Sequence, residues 1–216
     1  MSSIWDSPAW HSLGSFTTTR GNLTFAYFID WFNPLLNKTA GKTISIMLIC
    51  LNLPYELRHS VENTFFAGIT PPPKEPTVTT ITAVSNPIVD HLQAMFHGKL
   101  IRTHRHPNGT LKRMAVLPVI ADLMAIHKVL GFAGVLATNF CSFCNLCRAN
   151  IDCLEPSYWS PHIGTDVHQA AMKWQQARTK VKCKEIFNKH GVRWSALHCL
   201  DYRDPVQHTV LGMMHN

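Results

Sequence analysis

Residues 114–122 read Met114-Ala115-Val116-Leu117-Pro118-Val119-Ile120-Ala121-Asp122. The run is apolar throughout and far too short to cross a bilayer, and it does not alternate. That is the pattern of a strand buried on both faces. Asp122 closes it, and Leu123 to Leu130 then takes up helical spacing before Gly131. A carboxylate is therefore expected where a central strand hands over to a helix. Upstream, Lys99, Arg102, Arg105, Lys112 and Arg113 surround Pro107-Asn108-Gly109, which reads as the turn of a basic hairpin. Before that, Ile81, Val84, Ile88, Leu92 and Met95 recur on one helical face between Thr77 and Gly98, with Pro87 as a kink or a first-turn residue.

Three strands precede this helix. Leu23 to Ile29 ends on Asp30 ahead of Asn33-Pro34, Thr43 to Leu53 is stopped by Pro54, and Thr64 to Ile69 by Pro71-Pro72-Pro73. Three consecutive strands suggest a meander. The expected class is α/β, with a mixed sheet in the order strand, strand, strand, helix, strand, helix. Residues 1–22 read as a loosely held leading segment, and the core starts at residue 23. Residues 23–140 form its first part. From Cys141 to about Leu200 the texture is Cys-, His-, Pro- and Trp-rich and then helical from Thr165 to His190, as expected for a mainly helical insertion on that core. Residues 201–216 read as a return toward the core that is cut short, and Met213-Met214-His215-Asn216 would open a helix.

The chain has 216 residues, 46% apolar and 15% charged, which suits a packed fold rather than a disordered one. A net charge of +7 and thirteen histidines suit an anionic partner. The start carries neither a basic nor an apolar leader, and Pro118, Asp122, His127 and Lys128 break the apolar stretch from Met114 to Phe140. Secretion and a membrane span are not expected. The sequons at Asn22, Asn37 and Asn108 are therefore not predicted to be glycosylated. Seven cysteines with no secretory context read as reduced thiols or metal ligands, in a nuclear or cytoplasmic protein.

Two constellations carry chemistry. If the first and fourth strands pair in parallel, Asp30 and Asp122 converge at one rim although about 90 residues separate them. Two carboxylates suit a hard divalent ion such as Mg²⁺. The alternative is that each is a strand-end or helix N-cap residue. Cys141-x-x-Cys144 is half of a Zn²⁺ site, with Cys147, Cys153, His162 and His168 close behind, or else a set of buried thiols. The hairpin cations Lys99, Arg102, Arg105, Lys112 and Arg113 suit DNA phosphates or a solvated basic surface. Glu185 beside Lys182 and Lys184 reads as a surface pair, and His127 and Lys128 as helix-surface residues.

These residues also resemble a family. Ile29-Asp30-Trp31-Phe32-Asn33-Pro34, Cys50-Leu51-Asn52-Leu53-Pro54, Gly68-Ile69-Thr70-Pro71 and the stretch from Ala121 to Phe132 are similar to the CACTA (En/Spm-type) transposases, especially those of mushroom-forming fungi. The resemblance continues through Phe140-Cys141-Ser142-Phe143-Cys144, His190 to Ser195, and Asp204-Pro205-Val206-Gln207-His208. It implies an RNase H-like core whose acidic triad cuts and joins DNA with Mg²⁺ or Mn²⁺. Asp30 matches the first acidic position and Asp122 the second. Transposon-end DNA is the implied partner, with a second copy or a companion transposon-encoded protein as further candidates. The relatives also carry the Cys-x-x-Cys, which supports Zn²⁺ there. Two departures are visible. Gly212 stands where many relatives have an Asp, and the family's third carboxylate, a helical Glu, would fall beyond residue 216. The expectation is a transposase-like chain that is incomplete and inactive alone. The alternatives are a non-catalytic DNA-binding or structural remnant and a zinc-dependent interaction module.

Overall fold

A computed structural model describes residues 3–32, 43–70 and 76–212. The turn signals Asn33-Pro34 and Pro71-Pro72-Pro73, the sequon at Asn37, and Met213-Met214-His215-Asn216 lie outside the described residues. The strands are β1 (Leu23–Phe32), β2 (Thr43–Cys50), β3 (Thr64–Ile69), β4 (Lys99–Thr103), β5 (His106–Lys112), β6 (Met114–Ala121) and β7 (Thr209–Leu211). Five of them form one mixed sheet in the order β3-β2-β1-β6-β7, and β4 and β5 form a separate ribbon. The β1-β2-β3 meander is antiparallel, whereas β6 lies parallel to β1 and β7 parallel to β6. The helices are α1 (Pro8–His11), α2 (Ser15–Thr18), α3 (Tyr55–Arg58), α4 (Val78–His97), α5 (Leu123–Val129), α6 (Gly164–Gln176) and α7 (Lys180–His190).

Side-chain alternation divides the sheet into two unequal faces. Tyr27 and Ile29 of β1 and Val116 and Val119 of β6 pack with Ile81, Val89 and Leu92 of α4, Ala125 and Ile126 of α5, and Val167, Ala170 and Ala171 of α6. Fully burying an aliphatic side chain such as Ile29 or Ile126 stabilises the fold by roughly 1.5–3 kcal/mol. The other face has a smaller cluster at one end, made by Trp10, Ala26, Leu51 and Leu117 with Ile4 and Leu13 against it. The leading segment is therefore packed, contrary to its Ser/Thr-rich appearance: the Trp5 indole donates to the Leu51 carbonyl at 2.9 Å, and Trp10 and Phe16 are buried.

Pro118 sits in the middle of the central strand β6, where a missing N–H would normally break the ladder. The strand accommodates it with a register shift. Phe25 faces Val116, but Tyr27 faces Val119, so β6 spends one more residue than β1 over this interval. Two further expectations are corrected. The hairpin turns at His104-Arg105, where Thr103 Oγ1 accepts from the His106 N–H at 3.2 Å, and Pro107-Asn108-Gly109 lies within β5. The helical stretch from Thr165 to His190 is two helices, because Ala177 is extended and the Thr179 side chain caps α7 by accepting from the Lys182 N–H.

After α5 the chain makes a long excursion before β7, and Phe132 and Val192, near the two ends of most of it, are joined. Phe132 bridges Val192, Arg193 N–H donates to the Gly131 carbonyl at 2.9 Å, and Ala133 N–H to the Gly191 carbonyl at 2.7 Å. The helices between these points share the main core through α6.

Candidate functional site

The parallel pairing of β1 with β6 determines where the two acids stand. Phe28 faces Ile120 in register, and two residues further along each chain are Asp30 and Asp122. The pairing runs as far as Phe28 and Ile120; Asp30 follows within β1, and Asp122 follows one residue past the end of β6. Asp30 shares a face with Phe28 by strand alternation, whereas Asp122 stands past the end of β6, at the start of α5. β1 continues two residues beyond Asp30 to Phe32, so Asp30 lies inside the strand rather than at its end. β7 lies next along this rim, where Ala121 faces Leu211 and Gly212 N–H donates to the Ala121 carbonyl at 2.8 Å.

Each carboxylate already has one local bond. Asp122 Oδ1 accepts from the Ala125 N–H at 2.6 Å and caps α5, so the capping role read from the sequence is present. Asp30 Oδ1 accepts from the Trp31 N–H at 2.8 Å. The Lys128 ammonium lies 5.5 Å from the centre of the Trp31 ring, on the face of β1 opposite Asp30. His127, expected on the helix surface, is buried, and burial holds its imidazole below the ordinary range. Two oxygen-bearing groups fit the donor chemistry of Mg²⁺ or Mn²⁺. Among the described residues, however, no group of three or more His, Cys, Asp or Glu is placed to hold an ion.

The Cys-x-x-Cys forms a tight turn. Cys141 and Cys144 Sγ are 3.3 Å apart, and Cys141 Sγ accepts from the N–H groups of Phe143 and Cys144, each at 3.4 Å. The segment around Pro161 pairs with it: Cys144 bridges Pro161, and His162 N–H donates to the Phe143 carbonyl at 2.9 Å. His162 Nε2 lies 3.1 Å from the Cys141 carbonyl. Cys141, Cys144 and His162 line a cavity of about 380 Å³ with Asp166 of α6 and His190. Burial pushes the Cys144 thiol up, while burial and the nearby Lys189 and Lys173 push His190 down. The thiol pair suits one tetrahedral Zn²⁺ shell and supplies half of it. His168 is directed elsewhere, with its ring against His198 at 5.7 Å. Asp166 and His190 were not picked out from the sequence. The signal for Asp166 was its spacing with Ala170 and Lys173 along one face of α6.

Of the hairpin cations, Lys99, Arg102 and Arg105 are exposed. Arg113 has a structural contact instead: its guanidinium stacks on Phe16 and Phe96, each at 5.3 Å, and Nε donates to the Phe96 carbonyl at 2.7 Å. Lys182 pairs with Glu185 at 2.9 Å on the surface of α7, as its spacing predicts.

One pair resembles a nucleophile and its base. Ser12 Oγ lies 2.9 Å from His208 Nε2, but the Asp204 N–H donates to His208 Nδ1 at 3.1 Å. That bond fixes the ring proton on Nε2, so His208 donates to Ser12 and is not placed to take its proton. Among the described residues no helix is long and apolar enough to cross a membrane. The chain matches no family model, and no curated protein sequence matches it.

Proposed function

We propose that the chain is a transposase-like protein of the CACTA type, built on an RNase H-like sheet, whose chemistry is metal-dependent cleavage and joining of DNA. The observation that supports this reading is the parallel β1–β6 pairing, in register as far as Phe28 and Ile120, just ahead of Asp30 and Asp122. The β3-β2-β1-β6-β7 order supports it. When bound there, Mg²⁺ or Mn²⁺ supplies a Lewis acid for in-line attack on phosphorus. The chain's own part is to hold the ion. Asp122 is held by its bond from Ala125, and Asp30 by its place inside a paired strand. Mg²⁺-dependent nicking of terminal-repeat DNA that disappears in Asp30→Ala supports the enzyme. A second reading, a non-catalytic DNA-binding or structural remnant, is favoured by the lack of a three-ligand group among the described residues. Salt-sensitive DNA binding unaffected by Asp30→Ala, with no nicking, supports that one.

Zn²⁺ at Cys141 and Cys144 belongs to the same proposal, as a brace for the turn that faces α6. Nuclear localisation follows from the DNA substrate.

A further inference from the structure

From the geometry of the β4–β5 ribbon we infer that it is a DNA-duplex docking arm, set at the opposite rim of the sheet from the two acids. It rests on the nucleic-acid reading above and adds the form of the ligand and the place where it is gripped. The ribbon forms its own two-stranded sheet. A lone two-stranded hairpin is marginal in water, so an arm of this kind gains order from whatever it binds.

Its chemistry identifies the occupant. From His91 to Ala121 the sequence contains no Asp or Glu, while Lys99, Arg102, Arg105, Lys112 and Arg113 all fall within it. Lys99 and Lys112 face each other across the ribbon's base, and Arg105 is in its two-residue turn. Like charges directly opposite repel, and an anion laid across them relieves that repulsion. One step along the ladder, and so on the opposite face of the ribbon from the lysine pair, Leu100 faces Leu111, and the two are 62% and 66% exposed. Gly109 keeps this surface low, because Leu100 lies across the space a side chain there would fill. A cationic ribbon with an exposed apolar pair suits the major groove of B-form DNA, which admits two strands and presents thymine methyl groups. Residues 99–112 contain no Phe, Tyr or Trp, so the stacking platform a single strand requires is missing. The major groove of duplex RNA is too deep and narrow for the ribbon.

β6 begins just after the ribbon and ends at Ala121, one residue before Asp122. Its eight residues at about 3.3 Å each separate the ribbon end from the acidic rim by about 26 Å. That is close to eight base-pair steps of about 3.4 Å. The arm therefore holds DNA away from the point of chemistry rather than over it.

The test is binding of the full chain, in EDTA, to a labelled DNA duplex, the same sequence as a single strand, an RNA duplex, and phosphatidylserine-containing vesicles. The DNA duplex is expected to bind tightest. Arg102→Ala with Arg105→Ala should flatten the salt dependence by about two units of slope. Leu100→Ser with Leu111→Ser should weaken duplex binding about tenfold while leaving the slope unchanged. These four side chains are exposed or half-exposed, and unchanged melting temperatures verify that each variant is folded. Equal binding of single strand, RNA or vesicles overturns the inference, and so does duplex binding indifferent to the leucine pair. Because no cleavage is measured, failure to nick DNA leaves this result standing. Loss of all DNA binding in the intact chain would sink both readings.

Discussion

The Asp204 carboxylate occupies the space into which a side chain on Gly164 would project. Gly164 is the first residue of α6, and Asp204 lies in the loop that leads to β7, where its Oδ1 also accepts from the N–H groups of Val206 and Gln207, each at 2.8 Å. A negative group at a helix N-terminus is favourable, and Asp204 stands at that of α6. Gly164→Ala is expected to push the carboxylate aside and cost about 1–3 kcal/mol, the range for overpacking a closed site. Urea unfolding measures it, and a midpoint equal to wild type would show that the carboxylate yields freely.

Asp122 offers a way to separate structure from chemistry. Asp122→Ala removes the α5 cap and should cost about 1 kcal/mol, whereas Asp122→Asn keeps a capping oxygen and should be nearly neutral. If the acid holds an ion, both variants lose nicking equally. Activity in Asp122→Asn would leave the residue as a cap alone.

Stability should decline with acid because two histidines are buried in their neutral form. Burial, followed by the neighbouring His168, pulls His198 down to about 4, and its Nε2 lies 3.2 Å from the Leu130 carbonyl. Burial, followed by Arg203, pulls His208 to about 4. The unfolded chain takes up these protons near its ordinary value of 6.5, and the folded chain does so only near 4. The stabilisation is thus complete above about 6.5 and is lost as pH falls from there toward 4, on the order of a few kcal/mol for the two together. Urea midpoints across this window should fall steeply in wild type and less steeply in His198→Gln. A flat wild-type profile would contradict the buried neutral rings.

Metal analysis addresses the thiol pair. Purified protein is expected to carry Zn²⁺ that Cys141→Ser with Cys144→Ser removes. Substitution by Co²⁺ should give the strong near-ultraviolet absorption of thiolate ligation. No bound zinc in the unaltered chain would leave the turn a pair of buried thiols.

Strong local patterns in the sequence survived into the structure. Met114 to Ala121 and Thr64 to Ile69 have the bounds expected of them, and the two strands that precede Asp30 and Asp122 pair in parallel. Weak or competing local signals misled. Pro107-Asn108-Gly109 looked like a turn, yet Gly109 is needed in the strand to let Leu100 pass, and the turn uses His104-Arg105. β7 has only three residues and is held by β6, so no periodicity could reveal it. The first residues looked loose because their order comes from distant partners: Leu51 for Trp5, and Phe96 with Arg113 for Phe16.

The irregularity at Pro118 also governs comparison with any related chain. Without that additional residue, Ala121 rather than Asp122 would arrive beside Asp30. Two homologues could therefore share the same acids and the same sheet yet differ by one position in β6. An alignment drawn without a gap there would pair a carboxylate in one chain with a methyl group in the other.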